Sequence, residues 1–369
     1  MATVLILANS DIGLYNFRKE LIQKLLQTHQ VYISLPDGNN ISSLKKMGCN
    51  FIDTPVNRRG INPLDDLKLF LKYGRMLKKI KPDVVLSYTI KPNVYGGIGC
   101  RLRKIPFIPN ITGLGSAIEN ESFIKKITLF LYRISLKRAE CVFFQNNENK
   151  DFFVKNKIVS KNYKVIPGSG VNLNQFRILE YPSYDKKVNF LFIARIMKEK
   201  GIDEYLKAAE YIKGKYPNTV FHVLGFCEED YERKLKEMQD KGVILYHGMQ
   251  SDILEFHKIS HCTIHPTYYP EGMSNVLLES AACGKPVITT NRAGCKEIVD
   301  PGVSGYIIEE KNSNDLIMKI EMFLELDSNS KMKMGLAGRQ RVERDFDREI
   351  VIKEYVELID KISGTAISK

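Results

Sequence analysis

No stretch of the chain approaches 18 uninterrupted apolar residues, so no helix that crosses a bilayer is expected. The opening MATVLILANS carries no basic segment ahead of its short apolar run, which argues against a secretory signal. The seven cysteines (Cys49, Cys100, Cys141, Cys227, Cys262, Cys283, Cys295) include no CxxC pair, and most sit in apolar runs where a thiol behaves as a small hydrophobe. A reducing, cytoplasmic compartment is the expectation. Low-complexity tracts and internal repeats are absent too, which removes the disordered and solenoid classes. The first strand-to-helix junction, ASN before Asp11-Ile12-Gly13, is not GxGxxG, so a dinucleotide-binding role fails where it should be strongest. Histidine is scarce: of six, only His29 precedes position 222.

What is present is an ordinary globular composition, 44% hydrophobic and 27% charged, over 369 residues, a length that suits two domains. The net charge of +12 is uneven. Residues 1–180 hold 28 Lys+Arg against 13 Asp+Glu, net +15, and residues 181–369 hold 27 against 30, net −3. One half therefore calls for an anionic partner: nucleic acid, an acidic membrane surface or a phosphorylated substrate. Strand-like runs alternate with helical patterns from the start: VLILA and YNFRKELIQKLL, VYISL and ISSLKKMG, DVVLSY and KPNVYGGIGCRLRK, FIPNI and the Phe123–Lys137 segment, CVFFQ and NENKDFFVKN. The pattern restarts with NFLFIA and IDEYLKAAEYIKGKY, then VFHVLG, VILYHG, CTIHP, PVITT and GYIIE. Continuous Val/Ile/Leu strands with helices between them predict parallel sheets covered on both faces. The expected division is a Rossmann-like domain over 1–170, a linker over 171–187, a second Rossmann-like domain over 188–345 and a C-terminal helix over 346–369 packing back toward the first, with the ligand cleft between the domains.

The most explicit stretch is His265–Tyr306, HPTYYPEGMSNVLLESAACGKPVITTNRAGCKEIVDPGVSGY. Glu271 lies in a loop before Gly272, and Glu279 lies in an apolar helix that starts at an N-cap Ser274 and stops at Gly284 and Pro286. A loop feeding a helix N-terminus offers backbone N–H groups to a phosphate, here from Gly272 to Asn275, while each carboxylate can accept two hydroxyl hydrogen bonds. That arrangement suits a sugar nucleotide. Arg195 and Lys200, in ARIMKEKG after a strand end, are two cations able to neutralise a leaving diphosphate.

Glu271-x7-Glu279 followed by AACGKPVITTNRAGCKEIVDPGVSGYII resembles the donor-site signature of the retaining GT-B glycosyltransferases of family 4, over nearly the whole chain. The resemblance implies two Rossmann-like domains, a catalytic set of Glu271, Arg195 and Lys200, and donor-binding residues Gly272, Met273, Ser274, Asn275, Val276 and Glu279. The segments ILANSDIGLYNFRKELI, NITGLGSAI and VIPGSGVNLNQF look closest to N-acetylgalactosaminyltransferase-like enzymes that extend undecaprenyl-diphosphate-linked saccharides. Acceptor-side candidates are then Gly13, in a loop position allowing close backbone approach, Lys91 and Asn93 in TIKPN, and Thr112 and Gly113 in ITGLG. Many family members carry a histidine near the reacting sugar where this chain has Thr112. A histidine base from the N-terminal half is therefore not expected, and the leaving phosphate is implied as the acceptor of the proton.

Two metal-like patterns are set aside. The cluster His257, His261, Cys262 and His265 runs from a helix into a strand, so its side chains should diverge, and Asp345-Phe346-Asp347 suits a helix start better than a metal. The reading is a metal-independent, retaining hexosyltransferase with no cofactor, taking a UDP-sugar and a lipid-linked saccharide. It would sit in the cytoplasm on the anionic inner face of the membrane through the amphipathic basic segment Ser122–Arg138, in which Phe123, Ile127, Phe130, Leu131 and Ile134 share a face. No nucleic acid is expected as a partner. The alternatives are a same-fold UDP-sugar epimerase or phosphorylase, and a non-catalytic anion-binding protein.

Overall fold

The computed structural model describes residues 1–57, 60, 62–115, 123–183 and 187–364. The chain divides into two units, residues 1–169 with 349–369, and residues 170–348.

The first unit holds strands β1 (Thr3–Leu7), β2 (Gln30–Leu35), β3 (Asn50–Asp53), β4 (Val84–Tyr88), β5 (Phe107–Ile111), β6 (Val142–Phe144) and β7 (Tyr163–Val165). All pair in parallel, in the order β3-β2-β1-β4-β5-β6-β7. Parallel strands need crossovers, supplied by α1 (Asp11–Leu26), α2 (Ile41–Lys46), α3 (Pro63–Ile80), α4 (Gly97–Arg103), α5 (Phe123–Leu136) and α6 (Asn147–Lys155). Two apolar layers result. One face of the sheet is packed by α3, α4 and α5 through Tyr73, Met76, Leu77, Cys100, Tyr132 and Leu136. The other is packed by α1, α2 and the C-terminal helix through Leu21, Ile22, Leu44, Val351 and Tyr355. Two of these helix starts are locally encoded: Ser10 Oγ accepts from Gly13 N at 3.2 Å, and Asn62 Oδ1 accepts from Leu64 N at 3.1 Å ahead of Pro63.

The second unit holds β8 (Val188–Ile193), β9 (Thr219–Leu224), β10 (Leu245–Tyr246), β11 (Cys262–His265), β12 (Val287–Thr290) and β13 (Gly305–Ile308), all parallel, in the order β10-β9-β8-β11-β12-β13. Its helices are α7 (Ile202–Lys215), α8 (Glu232–Asp240), α9 (Leu254–Ile259), α10 (Asn275–Ala282), α11 (Ser313–Glu325) and α12 (Ser328–Asp345), after which α13 (Arg348–Ser363) begins. Three rings centre its core, Phe190 stacked on Phe221 and Tyr205 edge-on to Phe221.

The structure departs from the sequence reading in five places. Strand β3 and the 18-residue helix α3 fill a region the reading left without elements. The strand read in VILYHG shortens to two residues, and the helix read in KPNVYGGIGCRLRK opens with a π-turn over Pro92–Gly96. Of the segment read as a linker over 171–187, residues 171–179 are packed: Val171, Leu173, Phe176 and Leu179 join the core of the second unit with α10 and Phe346. On α5, Leu131 packs inward beside buried Tyr132 and Leu136, so the exposed apolar stripe is Ile124, Ile127 and Phe130. Ser122, the Phe123 side chain and residues 116–118 lie outside the described residues.

Candidate active site

In an open parallel sheet a ligand settles outside the carboxyl ends of the strands where the strand order reverses. In the second unit that point lies between β8 and β11. Three loops meet there, and close backbone approaches lock them. Gly225, at φ +139°, leaves no room for a Cβ against the carbonyl of Ala194, and Ile196 N donates to Phe226 O at 2.9 Å. Gly201, at φ +76°, is equally tight against the carbonyl of Pro266, and Tyr268 N donates to Glu199 O at 2.9 Å. A side chain at either glycine would pry the loops apart.

This lacing brings the two cations to the carboxylates. Arg195 pairs with Glu228 from the loop after β9, and Lys200, on a short turn over Lys198–Lys200, pairs with Glu271. The ring of Tyr269 lies between them, 5.3 Å from the Arg195 guanidinium and 4.7 Å from the Lys200 ammonium. His265, the last residue of β11, places Nε2 at 3.9 Å from the same Glu271 oxygen. Burial opposes ionisation of Glu271, but the Lys200 charge and the adjacent His265 outweigh it and hold the carboxyl down at about 2. Burial in turn holds His265 below the ordinary imidazole value, so it is neutral at neutral pH. Glu279, one turn into α10, goes the other way: burial pushes it up to about 8, only partly offset by the charge of Arg348.

Arg195, Lys200, Glu271 and the start of α10 therefore lie together at this strand-order reversal. Ser274 takes the extended N-cap conformation, but its side chain makes no cap bond and its N–H is spent on Gly294 O at 2.8 Å. The anion cradle read over Gly272, Met273, Ser274, Asn275 and Val276 is thus one donor smaller than expected. Sequence reasoning missed Glu228, Tyr269 and Arg348. The first two follow strand ends, on the ligand side of such sheets, and that position was the available signal. Arg348 reaches Glu279 only through the fold.

The histidines set aside as ligands do diverge. His261 Nδ1 accepts from Asn189 N at 3.1 Å, His257 meets the edge of Phe176, and His265 faces Glu271. Asp345 ends α12 paired with Arg344, and Asp347 precedes α13, so the acidic triplet straddles two helices instead of starting one.

In the first unit the strand order reverses between β1 and β4. Gly13 lies in the first turn of α1, after β1, and not in an open loop; an added Cβ would meet only Ser10 at ordinary contact distance. Thr112 and Gly113 follow β5, half-buried, with Gly113 at φ +134°. Lys91 follows β4, but its ammonium is already held by Asp66 Oδ1 and Gly60 O, each at 2.7 Å. A cavity of about 560 Å³ opens beside it, lined by Pro36, Val56, Asp66, Leu69 and Lys72. Asn93 is a correction: it is wholly buried, accepting from Ser87 Oγ at 2.6 Å and donating to Asn110 O at 2.9 Å, which leaves no face for an acceptor.

Residues 177–341 match the model of the glycosyl transferases group 1, and residues 3–146 match that of the glycosyl transferase 4-like domain. An N,N'-diacetylbacillosaminyl-diphospho-undecaprenol alpha-1,3-N-acetylgalactosaminyltransferase from Campylobacter jejuni is 28% identical, covering 96% of this chain and 98% of its own length. The capsular polysaccharide biosynthesis glycosyltransferase CapM of Staphylococcus aureus is 28% identical over 95% of this chain and 94% of its own. Among solved structures, a glycosyltransferase from Rickettsia africae superposes with a TM-score of 0.81 at 22% identity, covering 98% of both chains. HepE of Anabaena, in complex with UDP, gives 0.78 at 17% identity over 97% of this chain and all of its own. With two parallel-sheet units of matching fold and family models spanning both, the chain belongs to the group 1 glycosyltransferases of the GT-B fold, with a 4-like N-terminal half.

Proposed function

We propose that the chain moves a hexose or N-acetylhexosamine from a UDP-sugar to a polyprenyl-diphosphate-linked saccharide, with retention and without a metal ion, at the anionic inner face of the cell membrane. The observation that carries this reading is the convergence of Arg195 and Lys200 around Tyr269, beside Glu271 and the start of α10. Two cations at one strand-order reversal match a leaving diphosphate, and Glu279 behind them matches a ribose diol. The acceptor class rests on the relatives: one is named for diphospho-undecaprenol chemistry, and an Escherichia coli relative, 26% identical over 71% of this chain, is named a UDP-Gal:alpha-D-GlcNAc-diphosphoundecaprenol alpha-1,3-galactosyltransferase. In the proposed step an acceptor hydroxyl oxygen bonds to the anomeric carbon as the bond to the β-phosphate oxygen breaks, on the same face. The hydroxyl proton passes to the leaving phosphate, and UDP departs. Glu271, ionised against Lys200, orders the sugar hydroxyls and the cation together.

The membrane assignment rests on the exposed Ile124, Ile127 and Phe130 of α5, next to Lys126 and Arg133, in the half of the chain with net charge +15. Among the described residues no helix is long and apolar enough to cross a membrane.

Following UDP release over a panel of UDP-sugars, with and without lipid-linked acceptors, tests the reading. One donor should turn over only with a lipid-linked saccharide, and Arg195→Ala should lower its kcat by about 10²–10³-fold, since leaving-group charge develops only in the transition state. Wild-type kcat in Arg195→Ala at saturating donor would remove the diphosphate role.

A further inference from the structure

We propose that α3 is a second bilayer-inserting element of the N-terminal unit, acting with α5 to seat the carboxyl edge of its sheet on an anionic lipid surface. The proposal rests on the membrane-side reading above and extends it to a helix that the sequence pattern left unassigned.

Helix α3 is anchored by one face, where Leu69, Tyr73, Met76 and Leu77 are buried. Its opposite face should then be polar. Instead Leu64, Leu67 and Leu71 stand 66%, 54% and 46% exposed, at positions that share one stripe of the helix. The remaining exposed side chains of that stripe are cationic: Lys68, Arg75, Lys78 and Lys79. Neither carboxylate of α3 joins it, since Asp66 is held by Lys91 and Asp65 accepts from Asn62 Nδ2 at 3.2 Å.

The two kinds of residue are also sorted along the axis. The leucines occupy the first half of α3, with Lys68 among them, and Arg75, Lys78 and Lys79 occupy the second. Helix α5 carries a similar arrangement, with Ile124, Ile127 and Phe130 first, Lys126 among them, and Arg133 after them. Both helices pack on the same face of an all-parallel sheet, α3 between β3 and β4 and α5 between β5 and β6. Each therefore starts at the carboxyl edge of the sheet and runs back to the amino edge. Both apolar ends lie at the carboxyl edge, where Lys91, Thr112 and Gly113 also sit.

This is the layout of a surface that wets into acyl chains at one end and meets phosphate headgroups behind it. At 1.5 Å per residue, Leu64 to Leu71 spans about 10 Å and Arg75 lies about 6 Å beyond, which matches the shallow depth reached by interfacial helices. A second copy of the chain fits poorly, because two such faces would oppose cation to cation. An acidic lipid leaflet satisfies both halves.

The chain contains no tryptophan, so a single introduced one reports alone. With vesicles of phosphatidylglycerol and phosphatidylcholine, Leu67→Trp should shift its emission to the blue and be quenched by acyl-brominated lipid, and Lys79→Trp should be quenched less than half as much. Leu67→Ser combined with Leu71→Ser should weaken vesicle binding at least tenfold, and each cation removed by Lys78→Gln or Lys79→Gln should weaken it up to about fivefold at low salt. Transfer to a water-soluble acceptor should not change. If wild type binds vesicles but Leu67→Trp stays unquenched and only Ile127→Ser with Phe130→Ser reduces binding, the role of α3 is overturned while the membrane reading stands. Absence of vesicle binding by wild type would overturn both and leave donor chemistry intact. A concentration-dependent blue shift of Leu67→Trp without vesicles would assign the stripe to a second copy instead.

Discussion

Glu271 and Glu279 leave one short segment with opposite protonation, and the cause is their neighbours. Glu271 has a lysine against it, so its ionised form is favoured; Glu279 has burial and a more modest cation, so its neutral form persists to about 8. The stability consequences run in opposite directions. Glu271 contributes stability that is present above the ordinary carboxylate value and is lost as pH falls toward 2. Glu279 contributes stability that is full below the ordinary value and drains as pH rises to about 8. A ribose diol donating to Glu279 would favour its carboxylate, so donor binding should release a proton near neutral pH. Titration calorimetry with the UDP-sugar in buffers of different ionisation enthalpy should show that release, and affinity should tighten about tenfold or more from pH 6 to pH 8. Glu279→Gln should abolish the proton release and flatten the pH dependence. Proton release that persists in Glu279→Gln would move the ribose contact elsewhere.

Among elements, α13 is the one whose sequence position and structural membership disagree. It follows the last helix of the second unit, yet from Glu349 it belongs to the first, where Val351, Ile352, Tyr355 and Ile359 are buried. Asn110 Nδ2 donates to Tyr355 Oη at 2.8 Å, tying this helix to the end of β5 just before Thr112 and Gly113. Four buried side chains at about 1.5–3 kcal/mol each amount to about 6–12 kcal/mol, which is comparable to the whole stability of a typical domain, about 5–15 kcal/mol. A chain ending at residue 347 should therefore fail to fold its first unit, seen as loss of the cooperative unfolding transition and binding of a hydrophobic dye. The single change Tyr355→Phe should cost about 1–3 kcal/mol by taking the acceptor from the buried Asn110 Nδ2, read as a lower Tm. A native-like transition in the truncated chain would show that α13 is dispensable to that core.

At the scale of the whole molecule, the proposed mechanism assigns to Arg195, Lys200 and the start of α10 the positive charge that a divalent ion supplies elsewhere. Activity should accordingly survive EDTA. Loss on chelation, restored by Mn²⁺ or Mg²⁺, would require carboxylates near the diphosphate and would recast Glu228 and Glu271 as metal ligands. The alternation of buried apolar runs with helical spacing was enough to read two parallel-sheet units, because period and burial are local properties of the chain. The site was legible where its residues lie close in sequence, as with Glu271 and Glu279, or follow a strand end, as with Arg195 and Lys200. Helix α3 went unread although its buried Leu69, Tyr73, Met76 and Leu77 recur at helical spacing. Asn93 looked available in TIKPN, and only the neighbouring strands show it consumed by Ser87 and Asn110. Glu228, Tyr269 and Arg348 come to their partners from 33, 74 and 69 residues away along the chain, counted from Arg195, Arg195 and Glu279. Sequence alone determined most of the elements and the chemistry of each short motif, since these depend on neighbours along the chain. Only tertiary structure decided which charges meet, because pairing and pKa follow from distances and burial that no local pattern encodes.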